Sequence, residues 1–212
     1  MTDKKIVIID YGVGNILSIK NAITFHGYRP VITNKHSEIE NATHIILPGV
    51  GAYPSAMNKL KDLNLLKPIN KARDNQAYIL GICLGMQVLF ESSEEFETTK
   101  GLGLVKGKII MLNKFKQGLN FKLPNIGWRN CDVDFKNDKI DILKDILSTD
   151  EFYFVHSYAL VDYEKNLNVL KSKYQSIEFP AIIKHDNIYG CQFHPEKSGS
   201  QGLRIIKNFL QL

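Results

Sequence analysis

Tyr78-Ile-Leu-Gly-Ile-Cys-Leu-Gly-Met-Gln87 is the stretch on which the reading of this chain turns. The apolar run 77–82 predicts a buried strand, and an apolar helical pattern follows it. Between them lies Gly81-Ile-Cys-Leu-Gly85. Glycines two before and two after the cysteine let the backbone turn sharply from strand into helix. Such a turn pushes Cys83 out at the carboxyl edge of a sheet, as a Gly-x-Ser-x-Gly turn does for a serine nucleophile. The helix N-terminus that follows offers free N–H groups and a positive dipole end, both of which favour a thiolate. The rival reading is a packing cysteine, because free Cys is among the most buried residue types.

Upstream, Lys5-Ile-Val-Ile-Ile-Asp10 predicts a strand buried on both faces, and Tyr11-Gly-Val-Gly-Asn15 a glycine-rich turn. The turn lacks the third glycine of a dinucleotide fingerprint, so it reads as a tight β–α turn. Residues 16–25 predict a helix with Gly27 as its stop. Strands are expected at 31–33 and 43–47, the latter running into Pro48-Gly-Val-Gly51, and helices at 53–63 and 65–73. Strand and helix alternate through the first 95 residues, the pattern of right-handed βαβ units under an open, mostly parallel sheet flanked by helices. Active sites of such sheets lie at the carboxyl ends of the strands. Asp10, Gly49–Gly51 and Cys83 all sit at predicted strand ends, so one crevice could hold them.

From Gly101 the texture changes to short β-like runs at 106–112, 128–135, 152–156, 168–173, 181–185 and 188–193, an additional antiparallel region in the C-terminal half. Asp186-Asn187 predicts a hairpin turn, residues 141–147 one short helix, and residues 202–210 a final amphipathic helix. No repeat or linker divides the 212 residues, so a single domain, 1–212, is expected.

Apolar residues make up 44% and charged residues 23%, enough for a sizeable core. The net charge of +5 is spread along the chain, which gives no footprint for nucleic acid. Three widely spaced cysteines, Cys83, Cys131 and Cys191, form neither a disulfide framework nor a zinc motif. No leader pattern and no apolar run of membrane-spanning length is visible. The expectation is a cytoplasmic protein without membrane, metal or cofactor, with Cys131 and Cys191 as packing residues.

Cys83 needs a base to be reactive at neutral pH. His26, His36 and His44 flank turns or strands and read as surface or cap residues, and His185 as exposed. His194 closes the run Tyr189-Gly-Cys-Gln-Phe-His194 and is followed by Pro195 and Glu196. The proline stiffens the turn, and the Glu can fold back onto the far imidazole nitrogen, fixing its tautomer. Taken alone, His-Pro-Glu is equally a turn with a surface charge.

Gly81-Ile-Cys-Leu-Gly-Met-Gln87 together with Gln192-Phe-His-Pro-Glu196 resembles the class I (triad) glutamine amidotransferases. Ile9-Asp-Tyr-Gly-Val-Gly-Asn15, Leu47-Pro-Gly-Val-Gly51, Tyr153-Phe-Val-His-Ser-Tyr158 and His194-Pro-Glu-Lys-Ser-Gly199 narrow the resemblance to the glutaminase subunits of imidazole glycerol phosphate synthase, the HisH family. The resemblance implies a flavodoxin-like α/β fold and a Cys83–His194–Glu196 triad that hydrolyses L-glutamine to glutamate and ammonia. It implies oxyanion donors from Leu84 and the Gly49-Val50-Gly51 loop, and glutamine binding by Gln87, Ser157 and Tyr158. It also implies a (β/α)8-barrel, HisF-like synthase partner that takes up the ammonia, with Asp10, Asn15, Asn125, Trp128 and Lys197 at or near the contact.

One block departs from the family pattern. Pro-His-x-Gly-Trp-Asn appears as Pro124-Asn-Ile-Gly-Trp-Arg129. The destination of the ammonia therefore has two readings, the histidine pathway or a paralogue that amidates a surface-polysaccharide sugar. A cysteine hydrolase on a similar fold, the glutaminase of vitamin B6 synthesis, and a catalytically silent binding subunit fit the motif set less well.

Overall fold

The computed structural model describes residues 4–115, 122–132 and 139–212. Six α-helices and thirteen strands are assigned among them. In chain order the first half runs β1 (Ile6–Ile9), α1 (Ile16–Phe25), β2 (Val31–Thr33), α2 (His36–Glu40), β3 (His44–Leu47), α3 (Tyr53–Asp62), α4 (Leu66–Asp74), β4 (Tyr78–Ile82) and α5 (Leu84–Gln87). The second half runs β5 (Ser92–Ser93), β6 (Thr99–Lys100), β7 (Lys108–Met111), β8 (Asn125–Asn130), β9 (Glu151–His156), β10 (Tyr158–Val161), β11 (Asn168–Tyr174), β12 (Ile177–His185), β13 (Ile188–Cys191) and α6 (Gly199–Leu210).

The central sheet has the order β11-β12-β13-β4-β3-β1-β2. Strands β2, β1, β3, β4 and β13 run parallel, while β12 and β11 extend the sheet antiparallel. Side chains of a strand alternate between faces, and both faces here are covered. Ile6, Ile8, Ile46, Leu80 and Ile82 pack on one side with Ile19 and Ile23 of α1 and Ile205 and Phe209 of α6. Val7, Ile9, Ile45, Leu47 and Ile79 pack on the other with Met57 and Leu60 of α3 and Ile69 of α4. This is why the parallel strands read as unbroken apolar runs.

A four-stranded sheet, β10-β7-β5-β6, and a separate antiparallel pair, β8–β9, stand beside the main sheet. The expected antiparallel region is therefore divided among three sheets, and its longest strands belong to the central one. The hairpin at Asp186-Asn187 is present, with His185 opposite Ile188 across β12 and β13.

Several expectations need correction. His44 is not a surface residue; it is buried on β3 against the rings of Tyr78 and Phe209, because a strand covered on both faces has no exposed side. The helix expected over 141–147 is a single 3-10 turn, Asp141–Leu143. The strand expected over 128–135 begins earlier, at Asn125, and ends at Asn130, and residues 133–135 lie outside the described set. The helix after Cys83 has only four residues, so free backbone N–H groups, more than a long dipole, are what the elbow offers. Among the described residues no helix is long and apolar enough to cross a membrane.

Candidate active site

Strands β4 and β13 are parallel neighbours with Ile82 opposite Cys191. The chain therefore leaves both at the same edge of the sheet, Cys83 from one and Gln192-Phe-His194 from the other. The Cys83 amide donates to the Cys191 carbonyl at 2.7 Å, which locks the two exits together.

Cys83 has φ +54°, a left-handed conformation costly for a residue with a side chain. Tight packing around it holds the turn. A Cβ on Gly85 would lie 1.9 Å from the Leu47 carbonyl oxygen, and one on Gly49 would lie 2.4 Å from the Gly85 nitrogen. Only glycine lets the loop after β3 lie against the elbow. That loop is held from below as well. The Tyr11 hydroxyl donates to the Pro48 carbonyl at 2.6 Å, and a Cβ on Gly14 would meet the Pro48 ring at 2.7 Å. The Gly12-x-Gly14 turn thus serves close packing against the loop.

A cavity of about 250 Å³ opens over the elbow. Val50, Gly51, Cys83, Leu84, Gln87, Ser157, Tyr158 and His194, all expected from the sequence, line it together. Gly49, the first residue of the 49–51 loop, packs against the Leu84–Gly85 backbone. Asp10 is not on the cavity wall; its carboxylate accepts the Gly12 amide at 3.2 Å within the first turn. Asn15 precedes α1 without a side-chain cap, Lys197 is exposed, and Trp128 is 48% exposed at the edge of β8. Asn125 is fully buried, so its side chain offers no surface to a partner.

His194 Nδ1 pairs with Glu196 Oε1 at 2.9 Å. Burial alone would pull this imidazole down, but Cys83 and Glu196 outweigh it and raise it to about 10. The other ring nitrogen, Nε2, is buried without a hydrogen-bond partner. Burial pushes the Cys131 and Cys191 thiols well up, consistent with packing residues. Among the described residues no group of three or more His, Cys, Asp and Glu could hold a metal ion.

Gln87 is buried, and its amide nitrogen donates to the Tyr158 carbonyl and to Gln192 Oε1, both at 3.0 Å. Its side chain thus shapes the wall through the protein's own bonds. Sequence reasoning gave no role to Glu95, Pro124, Val155 and His156, which also line the cavity. Glu95 accepts the Tyr53 amide at 2.7 Å, and burial raises its carboxyl above the ordinary range. Nothing in the acidic run around it marked this residue. His156 could have been suspected from its place at the end of an apolar strand.

The description "Glutamine amidotransferase class-I" belongs to the family whose profile matches residues 7–212. The imidazole glycerol phosphate synthase subunit HisH of Lactococcus lactis is 44% identical over 98% of this chain and 98% of its own. The HisH subunit of Methanocaldococcus jannaschii is 45% identical over 97% of this chain and 98% of its own. Among solved structures, a putative GMP synthase component from Thermoplasma acidophilum superposes with a TM-score of 0.71 at 19% identity, covering 100% of this chain and 94% of that one. PurLQS from Thermotoga maritima gives 0.69 at 19% identity, covering 99% of each chain. At that identity the structural likeness speaks for the fold.

Proposed function

The chain belongs to the class I glutamine amidotransferases, and within them to the HisH subunits of imidazole glycerol phosphate synthase, and from that premise we propose that Cys83, His194 and Glu196 are its catalytic triad. The protein is a glutaminase subunit that serves histidine biosynthesis. The observation that carries the assignment is the convergence of Cys83 and the Glu196-bonded His194 on one cavity from two paired strands.

His194, whose imidazole is raised, takes up the proton of the Cys83 thiol. The sulfur attacks the side-chain amide carbon of glutamine. The oxyanion that forms is met by N–H groups of Leu84 and of the 49–51 loop. His194 passes its proton to the departing nitrogen, and ammonia leaves. His194, now neutral, takes a proton from water, whose oxygen attacks the thioester and frees glutamate. Glu196 keeps the imidazole oriented throughout. Gln87, Ser157 and Tyr158 form the glutamine wall, and the Glu95 carboxylate on the same cavity suits the substrate's ammonium.

The ammonia passes to a (β/α)8-barrel synthase subunit in the cytoplasm. Val50, Ile126 and Trp128, large apolar side chains that are exposed, supply surface for that contact. The names of the relatives favour imidazole glycerol phosphate as the product. Co-expression with the synthase partner should rescue a histidine auxotroph lacking this subunit. Failure of soluble, co-expressed protein to rescue would favour ammonia delivery to a surface sugar.

A further inference from the structure

Asn125 and Arg129, the two positions at which one sequence block departs from its family, join a hydrogen-bonded line that runs inward. The half-buried Arg129 guanidinium lies over the Tyr174 ring, 4.6 Å from its centre. Its Nε donates to Asn125 Oδ1 at 2.6 Å. A guanidinium has donors only, so this contact decides which end of the Asn125 amide faces it. The amide nitrogen is left for the other side, where it stands 2.9 Å from His156 Nε2. That nitrogen donates, so Nε2 must accept, and the ring proton must sit on Nδ1. Nδ1 in turn donates to the Tyr158 carbonyl at 2.9 Å. The same carbonyl accepts Gln87 Nε2, whose other contact is Gln192, and the Gln192 amide nitrogen stands 3.9 Å from Cys83 Sγ.

We propose that Arg129 is a positioning residue: through Asn125 it holds His156 in the neutral Nδ1–H form, and so fixes the Tyr158 carbonyl and the Gln87 amide on the glutamine-binding wall. Its consequence for catalysis rests on the glutaminase reading; its geometry does not. Without Arg129 the Asn125 amide can turn over and present its oxygen to His156. That favours the Nε2–H tautomer, which cannot donate to the Tyr158 carbonyl. The Tyr158 carbonyl, which Gln87 also donates to, then loses one of its two donors, and the wall at 155–158 is held less firmly. Burial, with the charges of Arg129 and His194, lowers the His156 imidazole to about 4, so the neutral ring persists through the working pH range. A neutral ring makes the tautomer the quantity that must be set.

The test uses chain labelled with ¹⁵N-histidine, read by long-range nitrogen–proton spectra, and glutaminase kinetics of the complex with its synthase. Wild type should show His156 as a single Nδ1–H species. Arg129→Met keeps an apolar stem against Tyr174 and removes the donor. It should shift His156 toward Nε2–H and raise KM for glutamine about tenfold, the effect of losing about one hydrogen bond, with kcat nearly unchanged. Arg129→Lys, which restores a donor, should recover most of both. Asn125→Asp, an acceptor toward both neighbours, should drive the same tautomer change. An unshifted His156 signal in Arg129→Met and Asn125→Asp would overturn the proposal. So would a tautomer change that leaves KM untouched, or an equal loss in kcat. A wild-type chain that hydrolyses no glutamine would defeat the glutaminase reading instead, and the spectra would still decide this one.

Discussion

His194 Nδ1 and Glu196 Oε1 stand 2.9 Å apart with their side chains 2% and 1% exposed. A carboxylate so withdrawn from water needs its partner, and the imidazolium needs the carboxylate. Glu196→Gln keeps the shape and removes the charge. It should cut kcat for glutamine hydrolysis by about 10² or more with a folded chain, and should lower the His194 titration. Steady-state kinetics and proton NMR of the imidazole check both halves.

The raised imidazole also links stability to pH. A folded-state value raised from 6.5 to about 10 means that protonated His194 stabilises the fold fully below pH 6.5 and that this contribution is lost as pH rises through about 10. Cys83 is one cause of the rise, so Cys83→Ala should bring His194 down and flatten the fall in stability on the alkaline side. Urea unfolding of wild type and variant across pH 6 to 10 measures the difference.

The elbow depends on glycines for space. Gly85→Ala sets a methyl against the fixed Leu47 carbonyl and should cost about 3 kcal/mol of stability, the upper range for overpacking. Gly190→Ala meets Met86 Cγ at 2.6 Å, a side chain that can move, and should cost less. Thermal melts of the two variants should rank them in that order.

Tyr11 supports the Pro48-Gly-Val-Gly51 loop, the proposed source of oxyanion donors. Tyr11→Phe leaves the Pro48 carbonyl without its buried donor, at a cost of about 1–2 kcal/mol. The synthase-stimulated kcat should fall while KM for glutamine changes little. A rise confined to KM would place the loop in substrate binding instead.

The sequence made the βαβ half legible because strands covered on both faces carry unbroken apolar runs, as Ile6–Ile9 and His44–Leu47 do. It misplaced His44 for the same reason, since one polar residue in such a run does not advertise that it too is buried. The short strands Ser92–Ser93 and Thr99–Lys100 were invisible, being held by their neighbours and not by any pattern of their own. Cys83 and the His194-Pro-Glu196 run were legible as candidates because turn chemistry surrounds each of them. Glu95 was not, because its place on the cavity wall comes from a bond to the amide of Tyr53, far away in sequence. Asn125, expected at or near a partner contact, has a buried side chain, because β8 pairs with β9 so that Asn125 stands opposite His156.

The account stands on Cys83 as the nucleophile, and covalent labelling tests it most directly. The purified chain, with its synthase, is treated with an electrophilic glutamine analogue, and the modified peptide is identified by mass spectrometry. Modification at Cys83, blocked by excess glutamine and lost in His194→Asn, is the predicted result. Modification at Cys131 or Cys191, with Cys83 untouched, would contradict it.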